Sequence, residues 1–422
     1  MEHTIFHVDV NSAFLSWEAV YRLKHLGGTL DLRTIPSAVG GDVTKRHGII
    51  LAKSVPAKRW KIKTGEPVGA ALKKCPGLYL APPNYNLYQR SSAGLMKLLG
   101  EYTPLVEQYS IDEAFLDMTG LETLFGPPEE TAVMIKDRIR EELGFTVNIG
   151  VAENKLLAKM ASDFKKPDQV HTLWKDEIPR KMWPLPVGEL FFIGSATKKK
   201  LRNLGIGTIG ELALMKPEIL RNHFGKYGET IWAFANGLDA SEVLPAPPPN
   251  KGYGNSTTTP FDVQDRETAK LVLLSLAETL AARLRADRVR IGVVAVGIRD
   301  YRFEYYRHQI SLPTPTNITR EVYEAACRAF DEAWDCAPVR HLGIHTSRVT
   351  KEEARQLSLF EEMDYEKMEK MDQAVDAIRR RFGNDSVMRA SFLTAGGVNF
   401  DHMGGGISRE KRSVDYSRHD IR

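Results

Sequence analysis

The stretch YSIDEAFLDMTG, residues 109–120, sets two carboxylates side by side in a run that otherwise has the make-up of a buried strand. Asp112 and Glu113 lie between Ile111 and the apolar Ala114, Phe115 and Leu116. Neighbours in a straight strand point to opposite faces, so one acid would be turned into the core. Burying a carboxylate without a partner costs on the order of several kcal/mol. A bend at 110–112 would instead bring both acids to one place. A surface hairpin with solvated acids is the other arrangement this composition permits.

A third acid lies upstream. Residues 4–10, TIFHVDV, are apolar and β-branched and predict a first strand that ends at Asp9. A helix is expected from about Ser12 to Leu26, with Ala13, Phe14, Trp17, Val20 and Tyr21 three or four residues apart. Asp9 could cap that helix, or a central sheet could bring it alongside Asp112 and Glu113. Three crowded carboxylates need a cation, because repulsion and desolvation would otherwise protonate one of them. Mg²⁺ takes oxygen ligands and keeps places for water and phosphate. Two such ions, with the Val10 carbonyl as a further ligand, would suit an in-line phosphoryl transfer.

Further elements follow from pattern. Strand, Gly40-Gly41 turn and strand are read over 35–54, a short helix and turn over 56–67, and helices over 85–101 and 129–143. Residues 145–167 read as strand, turn and helix. The order β-α…β-α-β-β-α-β predicts a split βαβ sheet with helices packed on one side. Past residue 174 short helices joined by Gly-containing turns take over. The three prolines in LPAPPPNKGYGNS mark a linker. A helix (267–287), two strands (290–300 and 301–312), a helix (319–335) and a strand (339–349) then predict a second α+β domain. The rest of the chain is charged and helical at first and Gly-rich after Gly396. The 422 residues thus suggest two to four compact units.

The formal charge of +4 permits a nucleic-acid partner without requiring one. Cys75, Cys327 and Cys336 lack disulfide or zinc spacing, which points to a reducing, cytoplasmic setting. No apolar run reaches the length of a membrane span, and the N-terminus does not read as a signal peptide.

HVDVNSAFLSWE (7–18) and YSIDEAFLD (109–117) resemble, in sequence and in separation, the two signature motifs of the Y-family DNA polymerases, the translesion enzymes. VNIGVAENKLLAKMASDFKKP (147–167) is similar to the segment that closes their palm. The likeness runs in order over about residues 4–350. It implies an α+β multidomain right-hand polymerase: a palm built on the split βαβ sheet (1–12 and 84–173), small fingers (13–83), and a helical helix-hairpin-helix thumb (174–240). A linker (241–256), an α+β little finger (257–350) and a tail (351–422) with a clamp-binding peptide and a short helix would complete it.

By the same resemblance Asp9, Asp112 and Glu113, with Val10, would hold two Mg²⁺ ions. Phe14, five residues after Asp9, falls at the family's steric gate against ribonucleotides; without that context it reads as a core aromatic. Lys166 matches a triphosphate-binding lysine. Lys58 occupies the place of a fingers arginine, and Ala52 and Val55 replace the threonine and tyrosine of that pattern, so Lys53 or Ser54 would have to compensate. A lysine meets phosphate as a point charge, without the arginine fork.

FFIGSATKKKLRNLGI (191–206) resembles a helix-hairpin-helix with Phe192 where its first glycine usually stands. Gly194, Lys198 and Lys199 would contact DNA phosphates there. The little finger would add Arg299, Arg302, Arg307 and Arg348 on one sheet face. QLSLF (356–360) resembles the peptide that docks bacterial polymerases on the sliding clamp, through Gln356, Leu357, Leu359 and Phe360. The implied partners are primer-template DNA, deoxynucleoside triphosphates and that clamp, with no membrane and a monomeric enzyme. Two rivals share features: a nucleotide cyclase on the same palm, and a catalytically silent DNA- and clamp-binding protein.

Overall fold

The computed structural model describes residues 3–41, 48–351, 364–384 and 386–392. The chain forms two compact units that part between Pro247 and Pro248.

In the first unit β1 (Ile5–Val10) turns into α1 (Ala13–His25) through Ser12, whose φ is 51°. β2 (Ser37–Gly40), β3 (Ile50–Lys53), α2 (Val55–Lys58), α3 (Val68–Lys74) and β4 (Tyr79–Ala81) follow, with the small sheet ordered β3-β2-β4. Gly40 belongs to β2 and is not in a turn; a Cβ there would meet Val68 Cγ2 at 3.0 Å, a tight contact that only a shift of that side chain would relieve. The chain returns through α4 (Tyr85–Leu99) to β5 (Val106–Gln108) and β6 (Glu113–Asp117), with a bend at 110–112 between them. α5 (Glu122–Phe125) and α6 (Pro128–Arg138) come next, the latter closing in a π-turn. β7 (Val147–Ala152), α7 (Lys155–Ser162) and β8 (Val170–Thr172) finish a five-stranded sheet ordered β5-β6-β1-β7-β8. Its pairs are antiparallel except β7 with β8.

The period of two sorts β1. Phe6, Val8 and Val10 enter a core shared with α1, α4 and α6. His7 and Asp9 face the other way, and α7 covers that side. Helices therefore pack on both faces of the sheet, not on one. Gly150 shows why α7 can sit so low: a Cβ there would lie 2.0 Å from the Ala158 carbonyl oxygen and 2.5 Å from the Ser162 nitrogen. The short helices α8 (Ile178–Lys181), α9 (Ser195–Asn203), α10 (Ile209–Ala213), α11 (Pro217–Phe224) and α12 (Lys226–Ala235) share an apolar cluster with α7.

In the second unit β9 (Gly254–Val263) begins inside the stretch read as linker. α13 (Arg266–Ala286), β10 (Arg290–Asp300), β11 (Tyr305–Thr316), α14 (Thr319–Ala333) and β12 (Val339–Thr350) follow. The sheet runs β11-β10-β12-β9, with α13 and α14 over the face bearing Val294, Val296, Ile298, Leu342 and Ile344. Pro313 and Pro315 are tolerated because β11 is an edge strand.

The expected tail helix is α15 (Tyr365–Phe382), seated against α13. The helical spacing of Met371, Val375, Ile378 and Phe382 predicts a helix packed back on the protein by its apolar side, yet Val375 is only half-buried and Met371, Ile378 and Phe382 are exposed. The seated face is ionic: Arg285 bonds Asp372 at 3.0 Å and Asp376 at 2.6 Å, and Arg379 bonds Glu278 at 3.1 Å. All these side chains are nearly enclosed, so the charges compensate one another.

Candidate active site

Strand register assembles the acids. Asp9 is the direct cross-strand partner of Glu113 on β6 and of Asn148 on β7, so the three side chains share one face. Asp112 precedes β6, and its carbonyl accepts from the Val10 N–H at 3.0 Å. A strand residue's N–H and C=O point to the same side, so the Val10 carbonyl also faces that edge. The Ser110 hydroxyl donates to Asp112 Oδ1 at 2.7 Å and reaches Glu113 Oε2 at 3.4 Å, tying the neighbouring acids through the bend.

Two lysines from the α7 segment meet these acids. Lys159 Nζ lies 2.6 Å from Glu113 Oε1 and 3.6 Å from Asp9 Oδ2. Lys166 Nζ lies 2.5 Å from Asp9 Oδ2 and 2.7 Å from Asp163 Oδ1. Asp163 also approaches Lys159 at 3.5 Å. Burial pushes the Glu113 carboxyl above its ordinary value, Lys159 opposes that, and Asp9 and Asp112 add to it. Burial works against charge on both lysines, but Asp9 leads the acids that outweigh it and hold the two ammonium groups above their usual range. Beneath them His7 is fully buried, its Nδ1 2.8 Å from Ser162 Oγ. Burial, then Lys159 and Lys166, keep that imidazole well below its ordinary pKa and neutral.

Four carboxylates against two ammonium groups leave a formal charge of −2, and the uncommitted ligands are all oxygen. That chemistry fits a hard divalent cation. Among the described residues, however, no three acidic, His or Cys side chains stand grouped as a ready-made metal site. Asp9, Glu113 and Asp163 are turned to the lysines, and Asp112 to Ser110.

The remaining expected residues fall as follows. Phe14 is half-buried on α1 and stacks on Tyr88, centroids 4.4 Å apart and planes at 7°, with Tyr85 and Trp17 at 6.0 Å. Lys58 ends α2 and is exposed. Ser54 cannot stand in for the missing fingers hydroxyl: it caps α2 by accepting from the Ala57 N–H and donates to the Ile35 carbonyl. Lys53 reaches Thr64 Oγ1 at 3.0 Å, and burial followed by Lys58 draws its ammonium below the ordinary value.

Gly194 is the N-cap of α9, which has no side-chain cap, so its first N–H groups stay open. Phe192 takes a φ of 74°, the left-handed region its glycine counterpart would prefer, with its carbonyl accepting from the Tyr227 hydroxyl at 2.6 Å. Lys199 is exposed, while Lys198 lies across Gly188.

In the second unit Arg299 and Arg307 share the sheet face away from the helices, with His341 and His345. Arg299 lies over the Tyr305 ring at 5.7 Å. Arg302 is not in a strand: it sits in the β10–β11 turn, bonded to the buried Asp300 at 2.9 Å and to Glu304 at 3.2 Å. Arg348 takes a φ of 54° near the C-terminal end of β12, far from the register shift at Val339–His341. Gln356, Leu357, Leu359 and Phe360 lie outside the described residues.

Sequence reading missed Lys159, Asp163, Gly150 and Asn148. The spacing Lys159, Asp163, Lys166 was a usable signal, being one face of a helix and its continuation. A glycine inside a strand was another.

Residues 8–163 match the impB/mucB/samB family, 175–206 the helix-hairpin-helix motif of that family and 250–359 its C-terminal domain. DNA polymerase IV of Clostridium acetobutylicum is 44% identical over 93% of this chain and 99% of its own. The chain belongs to the Y family of DNA polymerases. DNA polymerase IV of Acetivibrio thermocellus (38%, over 94% of this chain and 100% of its own) and DNA polymerase IV 2 of Bacillus subtilis (38%, 95% and 97%) are further relatives of this polymerase. A solved Y-family DNA polymerase chimera overlays with a TM-score of 0.69, covering 83% of this chain and 100% of its own at 21% identity, which speaks to the fold alone. The polymerase is thus a DNA-directed DNA polymerase of a metal-dependent family. No helix among its described residues is long and apolar enough to cross a membrane.

Proposed function

We propose that this polymerase performs translesion synthesis, adding deoxynucleotides to a primer end opposite damaged as well as intact template. The observation that carries the reading is the direct pairing of Asp9 with Glu113, with Asp112 one residue away. Asp9, Asp112, Glu113 and the Val10 carbonyl would hold two Mg²⁺ ions, which when bound would acidify the primer 3′-hydroxyl and neutralise charge on the triphosphate.

The chain's own groups do the rest. Lys166 and Lys159 offer ammonium groups at the acids, and Lys166, the more exposed, is the triphosphate contact. Lys58 and Lys53 add charge from the fingers. The Phe14 ring, backed by Tyr88, leaves no room for a ribose 2′-hydroxyl. The open N–H groups behind Gly194, with Lys198 and Lys199, hold backbone phosphate. Arg299, Arg307 and, from the turn, Arg302 contact the duplex from the little finger. QLSLF docks the enzyme, as a monomer in the cytoplasm, on the bacterial sliding clamp.

Primer extension tests this directly. Protein with Mg²⁺ and deoxynucleotides is expected to extend a primer past a template lesion, and Asp112→Ala to lose at least about a thousandfold, the scale of a missing transition-state stabiliser. Equal behaviour of the two proteins would leave the catalytically silent binding protein as the reading.

A further inference from the structure

Lys166 rides on a connection from Asp163 to Gln169 that has no regular secondary structure. A lysine on such a loop would ordinarily deliver its charge over a wide volume. Here the loop is stitched to the sheet by two asparagine side chains. Asn148, fully buried on β7, donates from Nδ2 to the Lys165 carbonyl at 2.8 Å and to the Ser162 carbonyl, at the end of α7, at 3.1 Å. Its Oδ1 accepts from the Gln169 N–H at 3.4 Å and from Asn11 Nδ2 at 3.1 Å. Asn11, in the turn after β1, accepts on Oδ1 from the Asp168 N–H at 2.9 Å and from the Thr146 hydroxyl at 3.0 Å. Backbone groups on both sides of Lys166 thus end on one amide pair.

The register makes this geometry meaningful. Asn148 is the cross-strand partner of Asp9, so the residue that fixes the loop is built into the strand pair that fixes the acid. Any shift of the loop against the sheet breaks bonds at Lys165, Asp168 and Gln169 together. All four hydrogen-bonding positions of the Asn148 amide are used. No other side chain of similar size offers two donors and two acceptors in that plane.

We infer that Asn148, acting with Asn11, is a positioning residue that sets where Lys166 presents its ammonium to the incoming nucleotide. It touches neither substrate nor acid and acts only through the loop. The inference rests on Lys166 as the triphosphate contact.

The discriminating measurement is single-nucleotide insertion with KM and kcat resolved, in a double-mutant cycle. Asn148→Ala is expected to raise KM for the deoxynucleotide about tenfold, with kcat within about threefold and primer-template affinity unchanged. Asn148→Thr, which keeps one hydroxyl donor on a strand-compatible side chain, recovers part of the loss. In a Lys166→Ala background, Asn148→Ala adds less than about twofold. An equal rise in both backgrounds, or a loss confined to kcat, overturns the inference. Lys166→Ala with an unchanged KM overturns the nucleotide contact itself, and with it the role given to Asn148. If Asn148→Ala does not fold, Asn148→Thr and Asn11→Ala carry the same cycle, and additivity refutes it there too.

Discussion

Replacing Gly150 by alanine tests how the site is built without touching any group that meets substrate. The new Cβ would lie 2.0 Å from the Ala158 carbonyl oxygen, 2.5 Å from the Ser162 nitrogen and 3.0 Å from the Ala158 carbonyl carbon. All three atoms are helix backbone, so no rotamer change can relieve the clash. Ordinary contact begins near 3.4 Å, so α7 has to lift by about 1.4 Å or tilt by an equivalent amount. That displacement is large against the 2.6 Å bond from Lys159 to Glu113 and the 2.5 Å bond from Lys166 to Asp9. Overpacking of this kind costs about 1–3 kcal/mol, and the upper end applies where backbone must move. A misplacement of about 1 Å in catalytic geometry is worth roughly a hundredfold in rate. Gly150→Ala is therefore expected to lose about 3 kcal/mol in denaturant unfolding of the first unit and about a hundredfold in kcat/KM for insertion. Gly94→Ala is the control: inside α4, with nothing within 4 Å of its Cβ, it is expected to be neutral or stabilising by up to about 1 kcal/mol. Near wild-type stability and activity for Gly150→Ala would refute the close approach of α7 as the device that delivers the lysines.

Three shorter tests address separate parts. Phe14→Ala is expected to admit ribonucleotides at least about tenfold better, scored by insertion from matched pools, and unchanged sugar selection removes the gate assignment. Leu359→Ala with Phe360→Ala is expected to abolish binding to a purified sliding clamp while basal extension persists; undiminished binding means the pentapeptide is not the dock. Arg285→Ala strands Asp372 and Asp376 in an enclosed site and is expected to cost about 3 kcal/mol in the second unit. Proteolysis at α15 reports that loss, and a change below about 0.5 kcal/mol shows that the helix is held by something other than its ion pairs.

What the chain discloses in advance depends on whether the deciding interaction is local. The bend at 110–112 follows from adjacent acids in an apolar run, and it is there. The alternation Phe6, Val8, Val10 against His7, Asp9 likewise fixes which face of β1 is apolar. The side on which α7 lies is different. It depends on a glycine eight to twelve residues from the atoms it makes room for, and hydrophobic period alone is silent about that. The α15 helix fails in a more instructive way. Its Met371, Val375, Ile378 and Phe382 repeat satisfies the amphipathic pattern, yet the helix seats itself chiefly by Asp372, Asp376 and Arg379. Their partners, Arg285 and Glu278, lie some ninety to a hundred residues earlier, and only the fold brings the opposite charges together.

The proposed catalytic centre shows both regimes at once. Adjacent acids announce that charge will be concentrated, and the strand they occupy announces that part of it will be buried. How that charge is balanced is decided elsewhere: by a helix lowered onto Gly150 to bring Lys159 within 2.6 Å of Glu113, and by two asparagines that pin the loop carrying Lys166. Electrostatic energies fall off with distance and rise steeply as water is excluded, so displacements of about an ångström in these supports change the acids' environment more than most surface charges could. The supports are uncharged, small and wholly or partly buried, and for that reason carry no signature in composition. A reading confined to the charged residues therefore picks out the candidate acids and overlooks what gives them their geometry.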